Sequence, residues 1–240
     1  MIITRDSLNQ LDPQEVLNLT SDGYAILIDK QKDWTSFDVV NKIKKTLGYP
    51  KIGHTGTLDP FATGLLIILI GRFTKKQNLF TNLDKTYIAK IKLGTTTDTL
   101  DPTSVEHSFQ DISFLNISDV QNCIKSFEGE YEQIPPMFSA KKISGKRLYT
   151  LARQGKTIEL QPTKVNIYSI KIIDIELPFA TFEVHCSKGT YIRSLARDIG
   201  NKLGVGGYLF ELRRTKIGHF SVDSALSIFE FLGFLKKTIV

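Results

Sequence analysis

Cysteine is nearly absent: Cys123 and Cys186 are the two in 240 residues, far apart and without a Cys-x-x-Cys pair. This excludes a disulfide framework and a cysteine zinc site, and fits a reducing cytoplasm. Long apolar runs are also missing. The longest uninterrupted one, Leu65 to Ile70, is too short to cross a bilayer and predicts a buried strand or core segment, so no membrane contact is expected. Met1 to Gln14 scatters Arg5, Asp6 and Asp12 among isolated apolar residues and offers no continuous apolar region for a signal peptide. Internal repeats, low-complexity segments and the steady strand–helix alternation of a doubly wound sheet are absent as well, which leaves an irregular mixture of strands and helices.

Hydrophobic residues make up 41% of the chain, enough to bury a substantial core. Lys and Arg outnumber Asp and Glu by 31 to 25, a net charge of +6 that fits a polyanionic partner, although many basic proteins bind no nucleic acid. Met1 to Asp22 shows no sustained period and is set apart as an N-terminal extension, with one catalytic domain expected over 23–240.

Tyr24 to Ile28 predicts a buried strand. Thr35-Ser36-Phe37-Asp38 has the spacing of a capping box, and Val40, Ile43 and Leu47 follow at helical intervals before Gly48, with Lys42, Lys44 and Lys45 on the outer face. Thr86 to Leu93 alternates, placing Tyr87, Ala89, Ile91 and Leu93 on one inward face. Val120, Ile124 and Phe127 mark an amphipathic helix; Ile134-Pro135-Pro136 forces an extended segment. Leu148 to Gln154 reads as a short helix. Val165 and Ile167 share one parity and Ile170 and Ile172 the other, which predicts a bulge or break near Tyr168 in a long strand, with Phe182, Val184 and Cys186 in the partner strand. Ile192, Leu195, Ile199 and Leu203 predict a helix ended by Gly204. A strand near Tyr208 to Arg213 and an apolar helix from Ala225 to Leu235 complete the chain.

The least ordinary stretch is Gly53-His54-Thr55-Gly56-Thr57-Leu58-Asp59-Pro60-Phe61-Ala62-Thr63-Gly64-Leu65-Leu66, a glycine-punctuated loop of the kind that carries function. Its local pattern has a plainer explanation: Asp59-Pro60 as a helix N-cap with proline in the first turn. Leu-Asp-Pro recurs at Leu11 to Pro13 and Leu100 to Pro102, so the tripeptide alone carries little information. The loop lacks the order of a P-loop and its lysine, and His54 and Asp59 stand without further ligands at metal spacing. A second stretch, Cys186 to Arg197, puts Arg193 and Arg197 one turn apart at a helix start. Cations there oppose the helix dipole, so another requirement, such as a carboxylate partner, should hold Arg193.

The fourteen-residue loop resembles the signature of the TruB family of tRNA pseudouridine synthases. It is joined in the same order by Asp84-Lys85-Thr86-Tyr87, by Gly94 with Thr97-Asp98 and Asp101, by Ile134 to Lys141, by Cys186 to Arg193 and by Leu212-Arg213-Arg214. The resemblance spans roughly Gly23 to Phe220 and overturns the capping-only reading of Asp59. It implies an α+β pseudouridine synthase fold, a mixed and mostly antiparallel sheet flanked by helices with an RNA-binding cleft. It also implies a monomeric enzyme that turns a T-loop uridine of tRNA, position 55, into pseudouridine without cofactor or metal.

By the same resemblance Asp59 is the catalytic carboxylate, Arg193 its partner, Tyr87 the ring that stacks on the extruded base, Tyr191 and Leu212 contacts to the uridine, and His54 a contact to the T loop. Asp101 matches an acidic position near the site whose role stays open. Lys141, Lys142, Lys146 and Arg147 are candidates for phosphate contacts or an ordinary solvated loop. The match frays at Lys30-Gln31-Lys32-Asp33, where the family reads Lys-Pro-x-Gly, and at Ile67, which replaces a frequent proline. The chain ends near Val240 without the C-terminal PUA domain of many relatives, so weaker tRNA affinity is expected. The rival readings are a tRNA-folding chaperone, a guide-dependent relative acting on ribosomal RNA, and a hydrolase; the last lacks a second catalytic carboxylate.

Overall fold

A computed structural model describes residues 1–8, 10–18, 23–139, 142–143, 146–148, 150, 154 and 158–236. Its contacts form two compact units: Met1–Lys85 with Arg213–Val240, and Thr86–Leu212. The second unit is thus an excursion of the chain between two halves of the first.

In the first unit, β1 (Ile2–Ile3), α1 (Arg5–Leu8) and α2 (Pro13–Asn18) precede β2 (Tyr24–Lys30), α3 (Ser36–Leu47), β3 (Ile52–His54), β4 (Thr63–Ile70) and α4 (Gln77–Thr81). The predicted buried strand at Tyr24 therefore runs on to Lys30. β2 pairs antiparallel with β4 from Tyr24 against Ile70 to Lys30 against Gly64. β1 pairs parallel with β2, so the segment without a sequence period is built into the sheet, with Ile3 and Val16 fully buried.

The apolar run in β4 is explained by two cores. Leu66, Ile68 and Ile70 join Tyr24, Ile26 and Ile28 against Val39, Val40 and Ile43 of α3. Leu65, Ile67 and Leu69 face Ala25, Leu27, Phe80 and Ile217 on the other side. A strand buried on both faces has no polar alternation to show.

The capping box forms as expected. Thr35 accepts from the Asp38 amide, the Asp38 carboxylate accepts from the Thr35 amide at 2.8 Å, and Gly48 ends α3 in the left-handed conformation at φ 63°.

The second unit contains β5 (Lys85–Leu93) from its second residue on, β6 (Thr96–Thr97), β7 (Glu106–His107), α5 (Ile117–Lys125), β8 (Gly129–Gln133), β9 (Lys142–Ile143), β10 (Lys146–Arg147), β11 (Thr163–Glu176), β12 (Phe179–Cys186) and α6 (Ile192–Lys202). β5, β12, β11 and β8 lie side by side in that order, and β11 is antiparallel to both its neighbours. Tyr87, Ala89, Ile91 and Leu93 are buried on one face of β5, as their alternation predicts. The β11–β12 register shifts between Ile167 and Ser169, at the predicted bulge. α5 ends at Lys125, before Phe127, which packs edge-on against Tyr131 instead. The expected helix over 148–154 and Lys141 lie largely or wholly outside the described residues.

β13 (Gly207–Ile217) begins in the second unit and ends in the first, four residues beyond the predicted strand. It is followed by β14 (Phe220–Ser221), β15 (Leu226–Ser227) and α7 (Ile228–Lys236). The apolar helix expected from Ala225 starts at Ile228. The Ser227 hydroxyl accepts from the Glu230 amide at 3.1 Å and the Glu230 carboxylate accepts from the Ser227 amide at 2.6 Å, a second capping box that sets the boundary. Leu226 and Ser227 pair parallel with β2. The architecture is α+β with a mixed, mostly antiparallel sheet, as expected.

Candidate active site

Asp59 sits half-buried on the loop between β3 and β4. No helix follows it. The Ala62 amide donates to the Asp59 carbonyl at 3.1 Å and closes a turn at Pro60-Phe61, which removes the N-cap explanation for the Asp-Pro pair.

The loop backbone is held at several points. Ser36, buried at the first position of α3, accepts from the Leu58 amide at 2.9 Å and donates to the Leu58 carbonyl at 3.2 Å. Pro60 O accepts from the Asp33 amide at 2.8 Å and from Lys30 Nζ at 3.3 Å. Arg214, only 2% exposed, donates through Nε to Leu65 O at 2.7 Å and through its guanidinium to Gly56 O at 3.2 Å, tying the two ends of the loop together. Gly64 makes that approach possible: at φ 106° a Cβ would lie 2.3 Å from the Arg214 carbonyl oxygen.

His54 ends β3 beside this loop. Its Nδ1 accepts from the Gly56 amide at 3.4 Å. Burial, and then the neighbouring Arg214 charge, push its pKa below the ordinary histidine value, which favours the neutral ring near neutral pH.

In the second unit, Arg193 is the second residue of α6 and is 6% exposed. The requirement that outweighs the helix dipole is visible. Arg193 donates to Asp101 Oδ2 at 3.2 Å, to Thr99 O at 2.9 Å and to Phe138 O at 2.6 Å. Asp101, also buried, is oriented by its other oxygen, which accepts from Thr99 Oγ1 at 2.6 Å and from the Thr103 amide at 3.0 Å. Leu100 precedes it at φ 59°, in the left-handed region.

Tyr191, half-buried at the N-cap, is fixed through its backbone: Gln133 accepts its amide at 2.7 Å and donates to its carbonyl at 3.0 Å. Tyr87 on β5 is 8% exposed and Leu212 on β13 is 9% exposed.

Asp59 and His54 therefore belong to the first unit, and Tyr87, Tyr191, Arg193 and Leu212 to the second. Within the second unit the structure joins Arg193 to Asp101, the acidic position without an assigned role. Sequence reasoning missed Lys30, Ser36 and Arg214 as supports of the loop. Lys30 stands at the lysine of the frayed Lys-Pro-x-Gly block and Arg214 closes the Leu-Arg-Arg block, so both carried a signal. Ser36 carried only its place in a capping box. No group of three or more His, Cys, Asp or Glu suited to a metal occurs among the described residues.

Residues 44–192 match the profile described as "TruB family pseudouridylate synthase (N terminal domain)", and residues 193–236 match "tRNA pseudouridylate synthase B C-terminal domain". The tRNA pseudouridine synthase B of Clostridium tetani is 51% identical over 204 residues, covering 85% of this chain and 71% of that protein. That of Chloroherpeton thalassium is 47% identical over 222 residues, covering 90% of this chain and 92% of that protein. Among solved structures, a chain of a Cbf5-Nop10-Gar1 complex superposes with a TM-score of 0.73 at 27% identity, over 97% of this chain and 60% of that one. With a profile match over more than half its length and a relative matched nearly end to end, the chain belongs to the TruB family of pseudouridylate synthases.

Proposed function

We propose that the protein isomerises a uridine of tRNA to pseudouridine, in the T loop at position 55, with Asp59 as the catalytic carboxylate and no cofactor. The observation that carries this reading is the setting of Asp59: a half-buried carboxylate in an unbroken family signature, on a loop pinned through Leu58, Pro60, Gly56 and Leu65.

The reaction breaks the C1′–N1 bond of the nucleoside, turns the uracil and joins C1′ to C5. N1 gains a proton and the C5 proton passes to solvent, so nothing is oxidised or reduced. A carboxylate suits both available routes, attack on C1′ or assistance to glycal formation. Fixing it in advance removes the cost of orienting it during the reaction.

By the family resemblance, Arg193 is assigned as the partner of the catalytic aspartate. Such a charge-assisted pair aims the acid and keeps it ionised. The base must be extruded from the folded T loop, at a cost of a few kcal/mol that stacking and phosphate contacts offset. Tyr87 is assigned the stacking ring, Tyr191 and Leu212 contacts to the uridine, and neutral His54 a contact to the T loop.

The test is tritium release from C5-labelled uridine in a tRNA transcript. Asp59→Asn is expected to abolish turnover while tRNA binding persists, and Tyr87→Ala to reduce it severely. Full release by Asp59→Asn overturns the assignment, and binding without any release by the wild type favours a folding chaperone.

A further inference from the structure

Gln133 is a buried amide that the proposed mechanism leaves without a role. It ends β8, opposite Thr163 of β11, and is 1% exposed. Its Oε1 accepts from the Tyr191 amide at 2.7 Å and its Nε2 donates to the Tyr191 carbonyl at 3.0 Å. Nε2 also donates to the Tyr131 hydroxyl. One side chain thus grips both polar groups of a single backbone residue, as a neighbouring strand would. The grip has one orientation, because a reversed amide would set N–H against N–H and oxygen against oxygen.

Tyr191 is the N-cap of α6, and a tyrosine there supplies no side-chain cap. Its carbonyl accepts from the Leu195 amide at 3.1 Å, so the same oxygen carries the first turn of the helix and the Gln133 bond. The chain after Gln133 follows this helix. Ile134 O accepts from Ser194 Oγ at 2.8 Å and from Arg197 at 3.0 Å, and Phe138 O accepts from Arg193 at 2.6 Å. Of these contacts, the Gln133 pair is the one made to the N-cap itself.

We propose that Gln133 is a positioning residue for the start of α6, its amide fixing the Tyr191 backbone and with it the placing of the Tyr191 ring and the Arg193 side chain, while Tyr131 orients the amide. This rests on Tyr191 and Arg193 acting in the reaction assigned to Asp59. Helix ends fray, and both residues stand at an end without a side-chain cap of its own.

Glutamic acid has the shape of glutamine and tests the bond pattern directly. Protonated, the introduced carboxyl of Gln133→Glu accepts from the Tyr191 amide and donates to the Tyr191 carbonyl. Ionised, it keeps the first bond and sets a lone pair against the carbonyl oxygen. Burial and that repulsion raise its pKa above the ordinary value of about 4.3. The titratable and charged neighbours of Tyr131 are Asp198 and Arg197 from α6 and Cys186 from β12. Burial holds the Asp198 carboxyl above the ordinary carboxylate range, with Arg197 opposing. These groups titrate in the wild type as well, so the ratio of variant to wild-type rate at each pH isolates the introduced carboxyl.

The experiment measures single-turnover tritium release from C5-labelled tRNA transcript at saturating enzyme, from mildly acid to mildly alkaline pH. It compares wild type, Gln133→Leu, Gln133→Glu and Tyr131→Phe, with tRNA affinity and circular dichroism measured alongside. Gln133→Leu is expected to lose roughly ten-fold or more in rate with affinity retained, at a ratio to wild type that does not change with pH. Gln133→Glu is expected to lose as much at neutral pH and to recover toward the wild-type rate as pH falls. Tyr131→Phe keeps the ring and removes the acceptor, and a loss of about two- to five-fold is expected.

A folded Gln133→Leu with the wild-type rate overturns the inference, as does a Gln133→Glu ratio that stays flat as pH falls. If Gln133→Leu does not fold, the Gln133→Glu profile decides. A wild-type rate in Tyr131→Phe overturns the part given to Tyr131. Full activity in Asp59→Asn sinks the catalytic reading itself, whereas an inactive Asp59→Asn beside an undiminished Gln133→Leu sinks only the role of Gln133.

Discussion

Arg193 lies in the first turn of α6, where its charge opposes the helix dipole, and its guanidinium is almost entirely removed from water. Asp101 supplies the countercharge within the same unit, and two carbonyls accept other protons of the fork. Removing one partner of a buried pair leaves a charge poorly compensated. Asp101→Ala is therefore expected to cost about 3 kcal/mol in urea unfolding. A cost well under 1 kcal/mol would mean that another group compensates Arg193. His54 gives a second test at this scale. Its pKa is depressed by burial, with Arg214 reinforcing, so below the ordinary histidine value the unfolded chain takes up a proton that the folded chain resists. Stability should fall as pH drops through that range, and His54→Gln should flatten the dependence. Equal acid sensitivity in the variant would contradict the assignment. The three Leu-Asp-Pro tripeptides show why such settings are hard to read in advance. Asp12 accepts from the Gln14 amide at 2.9 Å at the start of α2, Asp59 opens a turn, and Asp101 is buried against Arg193. Identical neighbours in sequence leave the tertiary partner undetermined.

Two elements decide where the Asp59 loop sits. α3 presents Ser36 to Leu58, and its N-terminus depends on the Thr35–Asp38 box. Thr35→Ala is expected to cost about 1 kcal/mol near neutral pH. Hydrogen bonds from the Thr35 side chain and then its backbone hold the Asp38 carboxyl below the ordinary carboxylate value. That part of the cap is present above the unfolded value and lost as pH falls through the folded one, so the cost of Thr35→Ala should shrink in acid. An undiminished cost in acid would deny the carboxylate its share. The parallel pairing of β4 with β13 places Thr63 and Gly64 opposite Arg213 and Arg214. Gly64→Ala drives a Cβ into the Arg214 backbone at a φ reserved for glycine and is expected to cost about 3 kcal/mol or more. Gly53, in the same sequence motif, has open space at its Cβ position, so Gly53→Ala should cost less than about 1 kcal/mol. Urea unfolding of the two variants checks the contrast; equal losses would remove the close approach as its cause.

At the scale of the whole chain, the compact units do not follow the family segments. The profile boundary between 192 and 193 falls inside α6, while the unit boundaries fall at 85/86 and 212/213. The net charge of +6 belongs to this scale too. If tRNA is the substrate, its affinity should weaken roughly ten-fold or more between about 50 and 200 mM salt, as displaced counterions return to the phosphates. A flat response in filter binding would leave the basic excess without a role in binding. The sequence by itself determined what local spacing encodes: the α3 capping box and its Gly48 stop, the one-faced alternation of β5, the β11 bulge, the buried β4 run and the unbroken signature around Asp59. These follow from backbone periodicity and short-range hydrogen bonds, which neighbouring residues control. Only the tertiary structure decided that Arg214 bridges Gly56 and Leu65, that Asp101 meets Arg193, and that Lys30 sits under Pro60. Each of these joins a charge to groups brought near by strand pairing and helix packing, where hydrogen-bond acceptors or a countercharge offset the cost of taking that charge out of water.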